Sequence, residues 1–258
     1  MKVQDKVILV TGGGAGIGAA MARRFAAENA QAVVVTDIDQ SGVQEVAAEI
    51  GGHAYVHNVA DEAQTAKICA EVIERFGGID LYCSNAGIFI KDPGGVVSSS
   101  NEDWQRIWEI NVMSHIYAVR SVLPHMIERG SGHWLITSSA AGLLNQVGSA
   151  PYGVTKHAAV GFAESIAIAH AHQGIGVQVL CPQAVRTPMV ENLGGPGVAG
   201  LDGMLEPEAL AGAVIDGLDH EKFLILPHPT VGDYMRHKAG DYDRWLGAMQ
   251  KLHARFEQ

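Results

Sequence analysis

Three residues between positions 139 and 156 have the types and spacing of a proton-transfer site. Tyr152 and Lys156 are four residues apart, so on a helix they share one face and the ammonium lies beside the phenol ring. A positive neighbour lowers the pKa of a phenol from its usual value of about 10 and makes it a better base at neutral pH. Ser139 follows an apolar strand and can donate a hydrogen bond to a substrate carbonyl. The Tyr-x-x-x-Lys pair by itself is also found on ordinary solvated helices, so it requires supporting context.

A glycine-rich loop near the amino terminus gives that context. The apolar run at residues 6–11 predicts a strand, and a helical pattern begins after residue 18. Between them lie Gly12, Gly14, Gly16 and Gly18, with a first gap wider than in the commoner G-x-G-x-x-G arrangement. Glycines let the backbone approach a pyrophosphate, whose charge is then stabilised by the free N–H groups at the helix start. The order of strand, loop and helix predicts a dinucleotide site.

Asp37 ends the second predicted strand and indicates which dinucleotide binds. A carboxylate about twenty residues beyond the glycines can accept hydrogen bonds from the ribose 2′- and 3′-hydroxyls. The same carboxylate repels a 2′-phosphate, and neither Ile38 nor Asp39 supplies a compensating positive charge. The alternative is that Asp37 only starts a turn with Asp39. We therefore expect NAD rather than NADP as the cofactor.

These motifs together resemble the short-chain dehydrogenase/reductase family of about this length, over residues 1 to about 190. The resemblance rests on the glycine loop, Asn85-Ala86-Gly87, Asn111, Ser139, Tyr152 and Lys156, which occur in the family's order. It implies an NAD(P)(H)-dependent oxidoreductase that interconverts secondary alcohols and ketones. It also implies that Asn111 supports a proton relay, that Lys156 bonds the nicotinamide ribose, and that residues 182–187 flank the nicotinamide.

The expected cofactor site contains more residues than the motifs alone. The expected cofactor contacts are Gly12, Gly14, Ala15, Gly16, Ile17, Gly18, Asp37, Ile38, Asn58, Val59, Asn85, Ala86, Gly87, Tyr152, Lys156, Pro182, Val185 and Thr187. Several positions depart from the family pattern, among them Asn58, Ser84 and Gln183. Asn58 replaces an aspartate that usually meets the adenine amino group, although an amide oxygen can accept the same hydrogen bond. Gln183 replaces a usual glycine and can reach the substrate space.

Alternation of apolar runs with longer helical patterns predicts the fold class. We expect a single-domain, Rossmann-type, doubly wound α/β sheet of about seven mainly parallel strands with helices on both faces, spanning residues 1–258. The expected strands lie near 7–11, 32–36, 53–57, 79–84, 133–138, 175–181 and 222–226. Right-handed crossovers bring the carboxyl ends of these strands, and the motifs that follow them, to one edge.

Composition and charge exclude several other classes. The net charge of −10 and the lack of a long basic cluster argue against nucleic acid as a partner. No apolar stretch is long enough for a membrane span and no signal segment is recognisable, so we expect a cytoplasmic protein. The three cysteines, Cys69, Cys83 and Cys181, lack metal-ligand spacing, and the histidine pairs diverge, so we expect no metal. The family resemblance favours a homo-oligomer, a dimer or a tetramer.

Two further segments bear on the substrate. Residues 188–205 are glycine-rich and predict a substrate loop, and residues 230–256 predict a helical tail with one apolar stripe. The tail can pack on its own domain, cap a neighbouring subunit's cleft or lie on a membrane surface. Because the loop is apolar and we expect no basic cluster near the site, we expect a hydrophobic alcohol or ketone rather than an anion.

Three functions remain open from the sequence. The first is an NAD-dependent oxidoreductase in which Tyr152 exchanges the proton. The second is a non-catalytic dinucleotide-binding sensor or scaffold, which retaining all of Ser139, Tyr152 and Lys156 disfavours. The third is an isomerase that keeps its NAD bound, although relatives of that kind carry longer substrate regions. Turnover of nicotinamide separates the first from the other two.

Overall fold

A parallel β-sheet forms the centre of the computed structural model, which describes residues 1–256. Within these residues the sheet has seven strands in the spatial order β3-β2-β1-β4-β5-β6-β7. Each neighbouring pair of strands runs parallel. The strands are β1 Val7–Thr11, β2 Ala32–Asp37, β3 His53–Val56, β4 Leu81–Ser84, β5 Gly132–Thr137, β6 Ile175–Leu180 and β7 Leu224–Ile225.

Helices connect the strands and cover both faces of the sheet. The helices are α1 Gly16–Ala27, α2 Gln40–Ile50, α3 Glu62–Phe76, α4 Asn101–Trp108, α5 Ser114–Arg129, α6 Ala141–Leu144, α7 Ala150–His170, α8 Pro188–Asn192, α9 Pro207–Asp219, α10 Thr230–Gly240 and α11 Tyr242–Phe256. A single π-helical turn, Glu109–Met113, separates α4 from α5, and short 3₁₀ turns lie at Ala171–Gln173 and Gly197–Gly200. None of the helices in residues 1–256 combines the length and apolarity needed to span a bilayer.

The core lies in two layers because strand side chains alternate between the faces of the sheet. Ile8 and Val10 of β1 pack on one face with residues of α1, α2 and α9. Val7 and Leu9 pack on the other face with residues of α3, α5 and α7. Burial on both faces explains why most of the strands are continuous apolar runs in the sequence.

The predicted α/β fold with seven strands is confirmed, and two helical predictions need correction. The family resemblance places Asn111 in one helix around residues 104–126, but this helix is interrupted at Asn111, because the π turn inserts one extra residue into the helical ladder. The tail is two helices rather than one. Asp241 is extended, and its carboxylate accepts a hydrogen bond from the Arg244 backbone N–H at 3.0 Å, which starts α11.

The strand order places the motifs at one edge of the sheet. The order reverses between β1 and β4, which are neighbours although two other strands separate them in sequence. In open parallel sheets ligands bind at the carboxyl ends of the strands beside such a reversal. Here β1 ends at Thr11, β4 at Ser84 and β5 at Thr137, directly before the glycine loop, Asn85 and Ser139.

Candidate active site

The glycine loop is shaped by close backbone approaches that exclude a side chain. Gly12 and Gly16 have φ of +64° and +52°, a left-handed conformation that favours glycine. A Cβ on Gly18 would lie 2.0 Å from the Gly12 carbonyl oxygen, so this position admits only glycine without a shift of the loop. Helix α1 begins at Gly16, within this loop, with Ala15 at its N-cap, no capping side chain and no acidic residue in its first turn. Its first N–H groups are thus free for an anionic group.

Asn85 ties the end of β4 to this loop. Its side-chain amide donates to the Thr11 carbonyl at 3.0 Å and to the Gly12 carbonyl at 3.3 Å. In return the Thr11 hydroxyl accepts from the backbone N–H groups of Asn85 and Ala86, at 2.9 and 3.1 Å. These reciprocal bonds hold the two loops together and fix the cleft between them.

Asp37 lies at the end of β2 with its carboxylate at the glycine loop. One carboxylate oxygen accepts a hydrogen bond from the Gly14 N–H at 3.1 Å, and the other accepts from the Asp39 N–H at 3.1 Å. Each oxygen retains a further lone pair for a ribose hydroxyl. Among the described residues that line the cleft, Lys156 is the one basic side chain, and it belongs to the catalytic group. The lining therefore offers no other cation to offset the Asp37 carboxylate.

Tyr152 and Lys156 occupy the first two turns of α7, as their spacing predicted. Ser149 caps this helix by accepting from the Tyr152 backbone N–H at 3.2 Å. The Lys156 ammonium lies 5.6 Å from the centre of the Tyr152 ring and donates to the Thr137 carbonyl at 2.9 Å. Phe89 covers the tyrosine ring, with ring centres 4.7 Å apart. Both reactive groups therefore lie against the end of β5.

Burial dominates the electrostatics of this pair. It raises the pKa of Tyr152 to about 12, although a hydrogen bond with Ser139 opposes the rise. It lowers the pKa of Lys156 to about 8. We expected Lys156 to lower the pKa of Tyr152, and in the protein by itself this lowering is not seen, because desolvation of the phenolate outweighs the distant ammonium.

Asn111 is fully buried in the π turn, and both ends of its side-chain amide are hydrogen-bonded. Its amide oxygen accepts from the Ile88 N–H at 2.9 Å, and its amide nitrogen donates to the Ile88 carbonyl at 3.0 Å and the Thr155 hydroxyl at 3.2 Å. A Cβ on Gly87 would lie 3.3 Å from the Asn111 amide oxygen and 3.4 Å from the Lys156 ammonium. The lack of a side chain at Gly87 thus leaves a gap between these two groups, which suits a proton relay.

Most of the expected residues converge on one cleft of about 270 Å³. The expected residues on its lining are Gly12, Ala15, Gly16, Ile17, Asp37, Asn85, Ala86, Gly87, Ser139, Tyr152, Lys156, Pro182, Val185 and Thr187. The expected residues outside that lining are Gly14, Gly18, Ile38, Asn58, Val59 and Asn111. Of these, Gly14, Gly18 and Asn111 contact lining residues, and Ile38 is exposed. The Asn58 amide oxygen accepts from the Ala60 N–H at 3.2 Å. The backbone cradle and the uncapped helix fit a dinucleotide.

A second, larger cavity of about 800 Å³ shares Ser139 and Gln183 with this cleft. Its other walls come from the segment around α6, from the loop at residues 198–202 and from the helices α10 and α11. The cations on its lining are Arg236, Arg244, Lys251 and Arg255. The expectation that no basic cluster lies near the site was wrong, because the fold brings these residues into the same cavity as Ser139 from a segment about a hundred residues away in sequence.

Several residues that shape the site escaped the sequence analysis. His115 is buried, its Nδ1 lies 2.6 Å from the Ser84 hydroxyl, and burial and the Lys156 charge lower its pKa to about 3. Asp202 accepts hydrogen bonds from Gln183, Thr230 and Tyr234, at 2.9, 3.2 and 3.0 Å. The only available signal was the departure at Gln183, whose side-chain oxygen has no partner in the part of the chain that the structure describes.

The cysteines and histidines behave as structural residues. Cys69, Cys83 and Cys181 are free and buried, and burial raises the pKa of the Cys69 and Cys181 thiols to about 12. His57 lies between the Thr36 and Thr65 hydroxyls, at 3.0 and 2.9 Å. Within residues 1–256 no group of three His, Cys, Asp or Glu side chains has metal-site geometry.

Residues 6–195 match the sequence model of the short chain dehydrogenase family. The chain belongs to this family, whose fold and glycine loop it shares. A curated relative from Streptomyces exfoliatus, a 1-deoxy-11-beta-hydroxypentalenate dehydrogenase, is 30% identical over 93% of this chain and 90% of its own length. A meso-2,3-butanediol dehydrogenase from Serratia marcescens is 35% identical over 73% of this chain and 75% of its own. The relatives support an oxidoreductase acting between alcohols and ketones.

Solved structures show the same architecture. A short chain dehydrogenase/reductase from Burkholderia phymatum, in complex with NAD, superposes with a TM-score of 0.85, covering 94% of this chain and 96% of that chain, at 24% identity. A 3-ketoacyl-(acyl-carrier-protein) reductase from Brucella melitensis, complexed with NADH, has a TM-score of 0.79 at 30% identity, covering 87% of this chain and 96% of that chain. The first likeness shows the fold alone.

Proposed function

We propose that this protein is an NAD-dependent oxidoreductase that interconverts a secondary alcohol and a ketone. The observation that carries the proposal is the single cleft in which the glycine loop and Asp37 lie at one end and Ser139, Tyr152 and Lys156 at the other. The solved 3-ketoacyl-(acyl-carrier-protein) reductase, 30% identical and complexed with NADH, supports the same cofactor. The preference for NAD over NADP rests on Asp37, whose carboxylate repels a 2′-phosphate.

The roles of the site residues follow from their chemistry and placement. Ser139 donates a hydrogen bond to the substrate oxygen, and Tyr152 takes the hydroxyl proton during oxidation or returns it during reduction. Lys156 bonds the cofactor ribose and stabilises the tyrosinate, while Asn111 supports the relay that carries the proton to water. When bound, the nicotinamide ring accepts or returns the hydride and, in its oxidised form, carries a positive charge.

Because the pKa of Tyr152 is raised, the site must stabilise its phenolate before Tyr152 can act as a base. Lowering the pKa by three units from its value of about 12 takes about 4 kcal/mol of added stabilisation of the phenolate. We assign that stabilisation to Lys156 together with the positive charge that the oxidised cofactor brings into the low-dielectric cleft. Oxidation of the alcohol should therefore accelerate as pH rises, because the tyrosinate is the active form.

The cofactor is expected to bind with its pyrophosphate at the start of α1 and its adenosine ribose at Asp37. The segment from Pro182 to Thr187 is expected to flank the nicotinamide. The Thr187 side chain lies beside Gly16 of the glycine loop. We further propose one catalytic domain and a cytoplasmic homo-oligomer. Light scattering of the purified protein tests the assembly, because a monomer alone would contradict it.

The test is nicotinamide absorbance with NAD or NADP and a panel of apolar secondary alcohols. We expect NAD-dependent reduction that falls at least about a thousandfold in Tyr152→Phe, which keeps the ring and removes the proton donor. Val154→Phe, an exposed change on the same helix, serves as the control and should retain activity. NAD binding without turnover across the panel would favour a sensor, scaffold or isomerase instead.

A further inference from the structure

One wall of the larger cavity is apolar, and the side chains that form it are only partly buried. Trp245, Met249 and Leu252 line it at helical spacing on one face of α11, and each is only partly buried. None of the residues described in α11 is fully buried, and Leu246 and Phe256 of the same helix are exposed. A cavity of about 800 Å³ is within the range of small-molecule sites. The apolar wall thus suits the body of a ligand that reaches Ser139.

Cations border this apolar wall. Arg244, Lys251 and Arg255 lie on the same side of α11, at spacings of seven and four residues, and all three line the cavity. Among the described residues none of the three forms an ion pair, whereas Arg236 is paired with Asp233. In a chain with a net charge of −10, three unpaired cations along one cavity form a local field of opposite sign.

Two acidic residues on the lining, Asp202 and Asp241, offset only part of this charge, because the same lining carries three unpaired cations. Asp202 is engaged by the Gln183, Thr230 and Tyr234 side chains, and these hydrogen bonds hold its pKa below its usual range. The Asp241 carboxylate accepts from the backbone at the start of α11. The charges in the cavity are therefore separated. The negative Asp202 bonds Gln183, whereas the unpaired cations lie along α11.

We propose that the substrate is an amphiphilic anion: an alcohol or ketone with an apolar body and a carboxylate or similar anionic group. The reacting carbon lies at Ser139, the body packs on Trp245, Met249 and Leu252, and the anion is bound by Arg244 and Lys251. This inference rests on the proposed oxidoreductase function and specifies its substrate class. It replaces the expectation of a purely hydrophobic substrate.

The test compares a keto acid with its neutral ester in matched proteins. The substrates are methyl-ketone fatty acids of 8 to 14 carbons and their methyl esters, with NADH at low salt. The variant is Arg244→Gln with Lys251→Gln. The control is Lys67→Gln with Arg75→Gln on α3, which changes the net charge equally and lies outside both cavities.

We expect wild type and control to prefer the keto acid, and the cavity variant to lose about fivefold in kcat/KM for the acid only. That figure corresponds to two exposed ion pairs of about 0.5 kcal/mol each. The loss should lie in KM, since these cations are remote from the reacting atoms. The preference should also shrink as salt rises, because the charges are at the rim.

Calorimetric titration of the keto acid without nucleotide separates the two proposals. Binding that weakens about fivefold in the cavity variant, with no turnover of any ketone, would support the anion site and reject the oxidoreductase function. Equal turnover of acid and ester by wild type, with equal binding by both variants, would overturn the anion site and leave the oxidoreductase function standing.

Discussion

Replacing Lys156 with methionine should make the protein more stable at neutral pH while abolishing its activity. Lys156 is 3% exposed, and burial lowers its pKa from 10.5 to about 8. The difference of 2.5 units means that the charged lysine destabilises the folded protein by about 3 kcal/mol at pH 7. Methionine has a similar length and carries no charge. Losing the hydrogen bond to Thr137 costs about 1 kcal/mol, which leaves a net gain of about 2 kcal/mol.

The pH dependence identifies the cause of that gain. Because the folded pKa of Lys156 lies below the unfolded value, the unfolded chain binds more protons between pH 8 and 10.5, and the stability of the wild type rises with pH there. Between pH 7 and 9.5 the wild type should gain about 2 kcal/mol relative to the variant, so the two should be almost equally stable at pH 9.5. Tyr152 titrates above this window, since its pKa is raised from 10 to about 12.

The assay is urea unfolding without nucleotide at pH 7 and pH 9.5, read as the free energy of unfolding. The control is Lys67→Met on α3, an exposed lysine whose replacement should show no pH-dependent difference. A Lys156→Met protein that is less stable than wild type at both pH values, by the same amount, would refute the reasoning. It would mean that Lys156 stabilises the fold rather than the reaction.

Two further substitutions test the nucleotide end of the cleft. Asp37→Ser should lower kcat/KM for NAD at least about tenfold and reduce its preference over NADP, because charged hydrogen bonds to the ribose are lost; unchanged steady-state kinetics with both nucleotides would contradict the assignment. Gly18→Ala should abolish NAD binding by calorimetry, since its Cβ would meet the Gly12 carbonyl oxygen. In contrast Gly161→Ala, at an open helical position, should bind NAD normally and raise stability by about 0.5–1 kcal/mol; loss of binding in both glycine variants would argue against the steric account.

The sequence predicted the sheet well because burial on both faces leaves a direct imprint on each strand. Strands such as β1 and β2 are apolar except for their last one or two residues, and glycines and polar residues follow them where the chain must turn toward a ligand. Tyr152 and Lys156 were predictable as a pair because both lie within one helix, where spacing fixes geometry.

Features that depend on distant contacts could not be predicted in the same way. The cations on α11 share a cavity with Ser139 because α10 packs beside α6 and α11 packs on α10, and no local pattern encodes those contacts. The π turn at Asn111 is equally invisible, since its residues have ordinary helical composition. The raised pKa of Tyr152 also requires the fold, because burial is a property of the packed chain rather than of the motif.

Ser139 and Gln183 line both cavities, so the two cavities meet at the residue that is expected to bind the substrate oxygen. The expected nucleotide contacts lie in the cleft with the glycine loop, whereas the second cavity is lined by the loop at residues 198–202 and by α11. With nucleotide and substrate in separate cavities, we expect the product to leave while the nucleotide stays in place. Release of the two ligands would then follow no compulsory order.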